Sequence, residues 1–218
     1  MSAQTLVQRL VHDTDHGQVL DQDRRYLLMR TDVLMGMLLA LPEAMRGPAL
    51  AALGQSVFTH GAGSVRAYAE QLAQQHSGDN GVAQAVLIAR VCEAAAALGW
   101  GAWQIQPQGD GLTVAVRNSP FAAAAQTLGL TDRTVCHAIV GMLQALGQAL
   151  WRSCQVQELD CAAQHPPHSH DAGALPCCHF QLQRLPFDHK TTNAACAVNR
   201  AQLSSVSTVQ PPFAGDVS

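Results

Sequence analysis

Lysine is almost missing from this chain: Lys190 is the only one in 218 residues. Arginine brings the basic total to 13 against 16 acidic residues, a formal net charge of −3, so no basic stripe exists to neutralise a phosphate backbone. Nucleic acid is not an expected partner. Long apolar runs are scarce as well. The longest, Val33 to Leu41, falls far short of the ~20 residues that span a bilayer. The N-terminus carries Gln4, Arg9, His12 and Asp13 where a signal peptide would be apolar. The expectation is no membrane span and a cytoplasmic setting. In a reducing compartment seven cysteines are not a disulfide framework, so any that cluster are metal ligands, reactive thiols or ordinary core. Cys92, inside an Ala-rich run, reads as core.

Catalytic signatures are also lacking. There is no GxSxG elbow, no phosphate-binding GKS/T loop and no Ser/His/Asp arrangement. The nearest dinucleotide-like string, Gly61-Ala62-Gly63-Ser64-Val65-Arg66, lacks the third glycine and falls inside a helical pattern. No internal repeat is visible.

What is present is a 48% apolar, 13% charged composition, enough for one substantial core. A first helix is expected over residues 3–11, with Leu6, Leu10 and Val11 apolar, followed by an extended segment at 25–30. Thr31 reads as the N-cap of a helix carrying Val33, Leu34, Met37, Leu38 and Leu41, weakened at Leu41-Pro42 and broken at Gly47-Pro48. A long helical region runs on to about Gln75 with Leu50, Leu53, Val57, Val65, Ala69 and Leu72 inward. Gly61-Ala62-Gly63 interrupts it, as a kink or close-packing point or, alternatively, a place of ligand contact.

Val82 to Gly99 is apolar on nearly all sides, which implies a buried central helix. A hairpin follows, residues 100–106 and 112–117 around Gln108-Gly109-Asp110-Gly111. Ser119-Pro120 opens a short helix to about Leu128. Thr131-Asp132 caps a helix with the stripe Val135, Ile139, Met142, Leu143, Leu146 and Leu150. Two extended segments, 155–161 and 178–185, complete the pattern. These elements predict an α+β domain, an antiparallel sheet packed with helices, over residues 21–186. Residues 1–20 are set apart as an N-terminal helix, and 187–218 as a disordered tail.

The chemistry-bearing residues are Cys136, the Glu158-Leu159-Asp160-Cys161 string and Cys177-Cys178. Thiolates and a carboxylate suit a tetrahedral zinc, and four protein ligands leave no position for substrate, so such a site is structural. Spacing alone leaves open three buried thiols and a surface glutamate. It also leaves open His165, His168 and His170 as competing ligands in a flexible loop.

Several separated motifs carry a resemblance. Ser119-Pro120-Phe121, Val135-Cys136-His137, Gly141, Glu158 through Gln164, and Pro176-Cys177-Cys178-His179-Phe180 together resemble the 4-vinyl reductase domain family, with weaker likeness back to Arg25-Tyr26. The resemblance implies zinc on Cys136, Glu158, Cys161 and Cys178, with Phe180 setting the register and Cys177 the alternative. Sixteen residues lie between Cys161 and Cys178, more than the family's usual interval, and a longer loop costs little entropy. It also implies the ligand-binding fold of aromatic-responsive sensors, bacteriochlorophyll-synthesis proteins and a vesicle-tethering subunit. The implied function is non-catalytic binding of a hydrophobic or aromatic small molecule. Reduction of a tetrapyrrole vinyl group, or sensing through a transcription partner, are the alternatives. A homodimer through the N-terminal helices is implied too. The pocket lies outside the matching motifs; Trp100, Trp103, Phe121, His60 and Tyr68 are its candidates from the residues themselves.

Overall fold

The computed structural model describes residues 6–76, 79–165 and 177–186. At its centre is a four-stranded antiparallel sheet in the order β4-β5-β7-β6, built from β4 (Ala102–Gln108), β5 (Gly111–Arg117), β6 (Cys154–Asp160) and β7 (Cys177–Arg184). Period-two alternation sends Trp103, Val114, Val116, Cys178, Phe180 and Leu182 to the buried face, while Gln104, Gln106, Gln157 and His179 stay exposed. Pairing aligns these rows: Val114 stands opposite Phe180, Val116 opposite Cys178, and Glu158 opposite Phe180 on the other side. Glu158 thus occupies a position on the apolar face of the sheet. The α+β architecture matches the expectation.

Six helices accompany the sheet among the described residues: α1 (Leu6–Arg9), α2 (Thr31–Ala40), α3 (Glu43–Gln75), α4 (Asn80–Ala97), α5 (Pro120–Thr127) and α6 (His137–Trp151). The central one is α6, not α4. Ile139, Leu143 and Leu146 on α6 are completely buried, whereas α4 buries only the Leu87, Val91 and Ala95 stripe and leaves Val82 43% exposed. Alanine explains the difference: it counts as apolar in the pattern, yet its small side chain is a good helix former that water tolerates.

Helix α3 crosses α6 at backbone contact. A Cβ on Gly141 would lie 2.1 Å from the Gly54 carbonyl oxygen, and one on Gly54 would lie 2.6 Å from that of His137. Only glycine at both positions allows this approach. By contrast α3 runs unbroken through Gly61-Ala62-Gly63, and Pro48 lies within its early turns without ending it. The expected interruption is therefore absent.

Three boundaries also differ from the sequence reading. Residues 11–26 form a three-stranded antiparallel meander, β1 (Val11–Asp13), β2 (Gln18–Asp21) and β3 (Arg24–Tyr26), so Val11 is a strand residue and the first helix ends at Arg9. Gly17, at φ +64°, makes the first turn. Arg30, not Thr31, caps α2, and it does so without a side-chain hydrogen bond. Cys136, not Thr131 or Asp132, sits at the N-cap of α6. The tail expected beyond residue 187 lies outside the described residues.

Candidate metal centre and ligand pocket

Four elements bring Cys136, Glu158, Cys161 and Cys178 to one point. Cys136 stands at the α6 N-cap, and Glu158 reaches in from β6. Cys161 follows β6, whose pairing with β7 shifts register between Glu158 and Asp160, and Cys178 is the second residue of β7. One ligand atom from each lies within 4.8 Å of all the others, and all three cysteines are fully buried. The Cys136 sulfur is 3.6 Å from that of Cys178 and 3.9 Å from that of Cys161. A tetrahedral metal with ~2.3 Å bonds to sulfur would space them by ~3.8 Å.

The carboxylate supplies a second observation. Glu158 Oε2 accepts the Cys136 backbone N–H at 3.2 Å, while Oε1 is buried with no hydrogen-bond partner. A buried carboxylate oxygen without a donor is costly, and a cation satisfies it. Around the cluster, Ser119 Oγ lies 3.2 Å from the Cys136 sulfur and the Ala162 N–H donates to the Cys178 sulfur at 3.3 Å. Such partners orient and tune metal ligands.

The electrostatics carry the same signature. Burial, and then the charge at Cys161, push the Glu158 carboxyl up to about 8. Cys136 is held well above the ordinary thiol value by its contacts with Cys161 and Cys178 and by burial. Cys161 is also raised. Thiol donors from Cys136 and Cys161 and the Ala162 amide hold Cys178 down to about 4. Alone, the cluster keeps one negative charge; all four groups ionise together only with a cation between them. The donor set and the orphaned oxygen therefore fit a divalent metal.

Of the alternatives, Cys177 alternates to the other side of β7, half-buried, its sulfur 3.8 Å from the Cys178 carbonyl. His165 is exposed and pairs with Asp160 at 2.6 Å, apart from the cluster. His168 and His170 lie outside the described residues.

A cavity of about 290 Å³ lies elsewhere, between α3, α4, the N-terminal meander and Trp100. Val57, Val65, Leu87, Val91, Leu98 and Met142 make its walls apolar, and Leu6 closes it. Polar groups collect at its mouth. Arg9 grips Asp21 through Nε and Nη2, both at 3.0 Å, stacks over the Tyr68 ring at 5.2 Å and donates to the Tyr68 hydroxyl. Asp21 is 4% exposed, and the Arg9 hydrogen bond holds its carboxyl below the usual range.

Of the five expected pocket residues, His60, Tyr68 and Trp100 line this cavity. Trp103 and Phe121 do not. Trp103 faces the sheet core and spends its indole N–H on the Trp100 carbonyl at 3.0 Å. Phe121 is buried behind Trp100, edge-to-face at 5.6 Å between ring centres. Arg9, Asp21, Arg24 and Tyr26 were missed because Arg9 falls in the expected first helix, Asp21 and Arg24 between that helix and the extended segment at 25–30, and Tyr26 in that segment, with no strand pairing to bring them together. The signal was Asp15-His16-Gly17, a turn string between two short β-prone runs. Gly61 lines the cavity, and a Cβ there would meet only the Met142 methyl at 3.7 Å. The helix is unbroken there, so no kink explains the glycine, which lines the cavity beside Met142 of α6.

No family model matches the chain, and no curated protein matches it. Among solved structures it is similar to the phenol-responsive sensory domain of the transcription activator PoxR, crystallised with phenol. The TM-score is 0.61 at 16% identity, covering 88% of this chain and 92% of that one. The likeness shows the shared fold. No helix among the described residues is long and apolar enough to cross a membrane.

Proposed function

We propose that the chain is a non-catalytic binding domain that carries or senses a hydrophobic molecule of one or two rings, on a scaffold closed by a structural zinc. The observation that carries the first half is the cavity. An apolar space with a few convergent polar groups is the usual form of a small-molecule site. A dry cavity of ~150 Å³ holds benzene; at about 290 Å³ this one suits roughly twice that volume. Its size favours a small aromatic molecule over a tetrapyrrole, and so favours the binding reading over vinyl reduction. The solved structure of similar fold comes from a domain that responds to phenol, which supports a sensor role.

The second half rests on Cys136, Glu158, Cys161 and Cys178. Zinc is the metal that three thiolates and one carboxylate suit best. Bound there, it would tie the α6 N-terminus to both strands of the β6-β7 pair and leave no open position for substrate. The motif set and this cluster together support membership of the 4-vinyl reductase domain family. Pairing of two copies is supported by Leu27 and Leu28, 81% and 74% exposed, and by Val33 and Met37 on α2, 57% and 59% exposed. This moves the expected contact away from Leu6, which is buried at the cavity; sedimentation velocity measures it.

The binding half is tested by calorimetric titration of the full chain with 2-naphthol. The wild type should bind and Gly61→Leu, whose side chain enters the cavity, should not. Equal binding by both would refute the pocket assignment.

A further inference from the structure

The cavity mouth holds three arginines against two carboxylates. Arg9 pairs with Asp21 at 3.0 Å, and Arg90 pairs with Glu93 at 3.0 Å. Arg24 is left over. It stands opposite Asp21 in the β2-β3 register, but both Asp21 oxygens are already taken by Arg9. Among the described residues Arg24 forms no ion pair; its Nη1 donates to the neutral Ser64 hydroxyl at 2.6 Å, bridging β3 to α3 across the mouth. A cation thus stands over an apolar cavity, close enough to Asp21 to help hold its carboxyl down but without an ion pair of its own.

We infer that the ligand is an amphipathic acid: a one- or two-ring aromatic carboxylate whose ring enters the cavity and whose carboxylate lies at the mouth on Arg24 and Ser64. The inference deepens the pocket reading above and rests on it. A guanidinium presents a planar fork that matches a carboxylate, and only one of its donors is spent on Ser64. The Ser64 hydroxyl can turn to donate to the same anion. The paired Arg9 and Arg90 keep their own carboxylates, so the acid completes the charge balance of the mouth without displacing an existing pair. A neutral ring of the same shape would fill the cavity and gain nothing from Arg24.

The test is titration calorimetry of the full chain with 2-naphthoate and 2-naphthamide, two planar probes of matched shape that differ in charge. The wild type should bind the acid at least about tenfold tighter than the amide, since a hydrogen bond to a charged group is worth that factor or more. Arg24→Gln, at an exposed position, should weaken the acid by about the same factor and the amide, whose carbonyl accepts without charge, by much less, so that the preference for the acid collapses. Equal wild-type affinity for the two probes, or a preference that survives Arg24→Gln, overturns acid recognition while leaving the pocket reading in place. Binding of neither probe, or equal binding by Gly61→Leu, overturns the pocket reading and this inference with it.

Discussion

At the cysteine cluster, four ligand atoms from the α6 N-cap, β6, the loop after it and β7 converge within 4.8 Å, and the thiols are sealed from solvent. At the cavity, side chains from the N-terminal meander, α3, α4 and α6 surround about 290 Å³ of open space and leave a charged mouth. One region is closely packed around its ligand atoms; the other is kept open. The difference separates their expected behaviour. Substitutions at the cluster should act on folding, and those at the cavity on binding with little effect on folding.

The largest effect expected is that of Cys161→Ala, which removes a ligand and strands the others. Loss of a structural metal should cost more than about 4 kcal/mol, read as a fall in thermal midpoint together with loss of zinc. A loss near 1 kcal/mol would make the cluster ordinary core and break the comparison.

Metal uptake should also carry a steep pH dependence. Glu158 is raised to about 8, Cys136 and Cys161 are raised, and Cys178 is already a thiolate, lowered to about 4. Between about pH 4 and 8 a divalent ion must displace protons from Cys136, Cys161 and Glu158. Apparent affinity should then rise about a thousandfold per pH unit, and less steeply above that, as chelator competition would measure. Without metal, the two large shifts in this range oppose each other. The raised Glu158 makes stability fall as pH rises from 4.5 to about 8, and the lowered Cys178 makes it rise between about 4 and 9. Thermal stability of the chelated protein should therefore vary little over that window, whereas a strong slope would contradict the assigned charges.

Gly141→Ala tests the frame that holds both regions. Its Cβ would strike the Gly54 carbonyl at 2.1 Å, so α3 must move off α6, at a cost of about 3 kcal/mol in denaturant unfolding. Gly61→Leu, about two turns along α3 from Gly54, should do the reverse. It removes a flexible residue from α3 and gains stability of about 0.5–1 kcal/mol while abolishing ligand uptake. A destabilised Gly61→Leu would show that the cavity is a packing defect filled by something else.

The two regions were also unequally legible. Metal chemistry demands thiols and a carboxylate, so Cys136, the Glu158 to Cys161 string and Cys177-Cys178 were visible as candidates, but spacing left the histidines open and the family resemblance chose Cys178 over Cys177; in the fold the alternation of β7 turns Cys178 inward and Cys177 away. A cavity demands only that space be left. Val57, Leu87 and Val91 look like any core residues, and Gly61 looks like a kink. Trp103 and Phe121, chosen for their size, serve the core because the strand phase and the α5 face point them there. The hairpin over residues 102–117 and the β6-β7 pairing were visible from alternation and turn residues, but the meander over 11–26 hid behind its short strands.

Native mass spectrometry of the wild type beside Gly61→Leu tests the separation of the two regions most directly. The account predicts one zinc per chain in both proteins, and a small organic adduct retained from expression, or taken up from added 2-naphthol, in the wild type alone. A metal-free wild type, or the same adduct on both proteins, would contradict it.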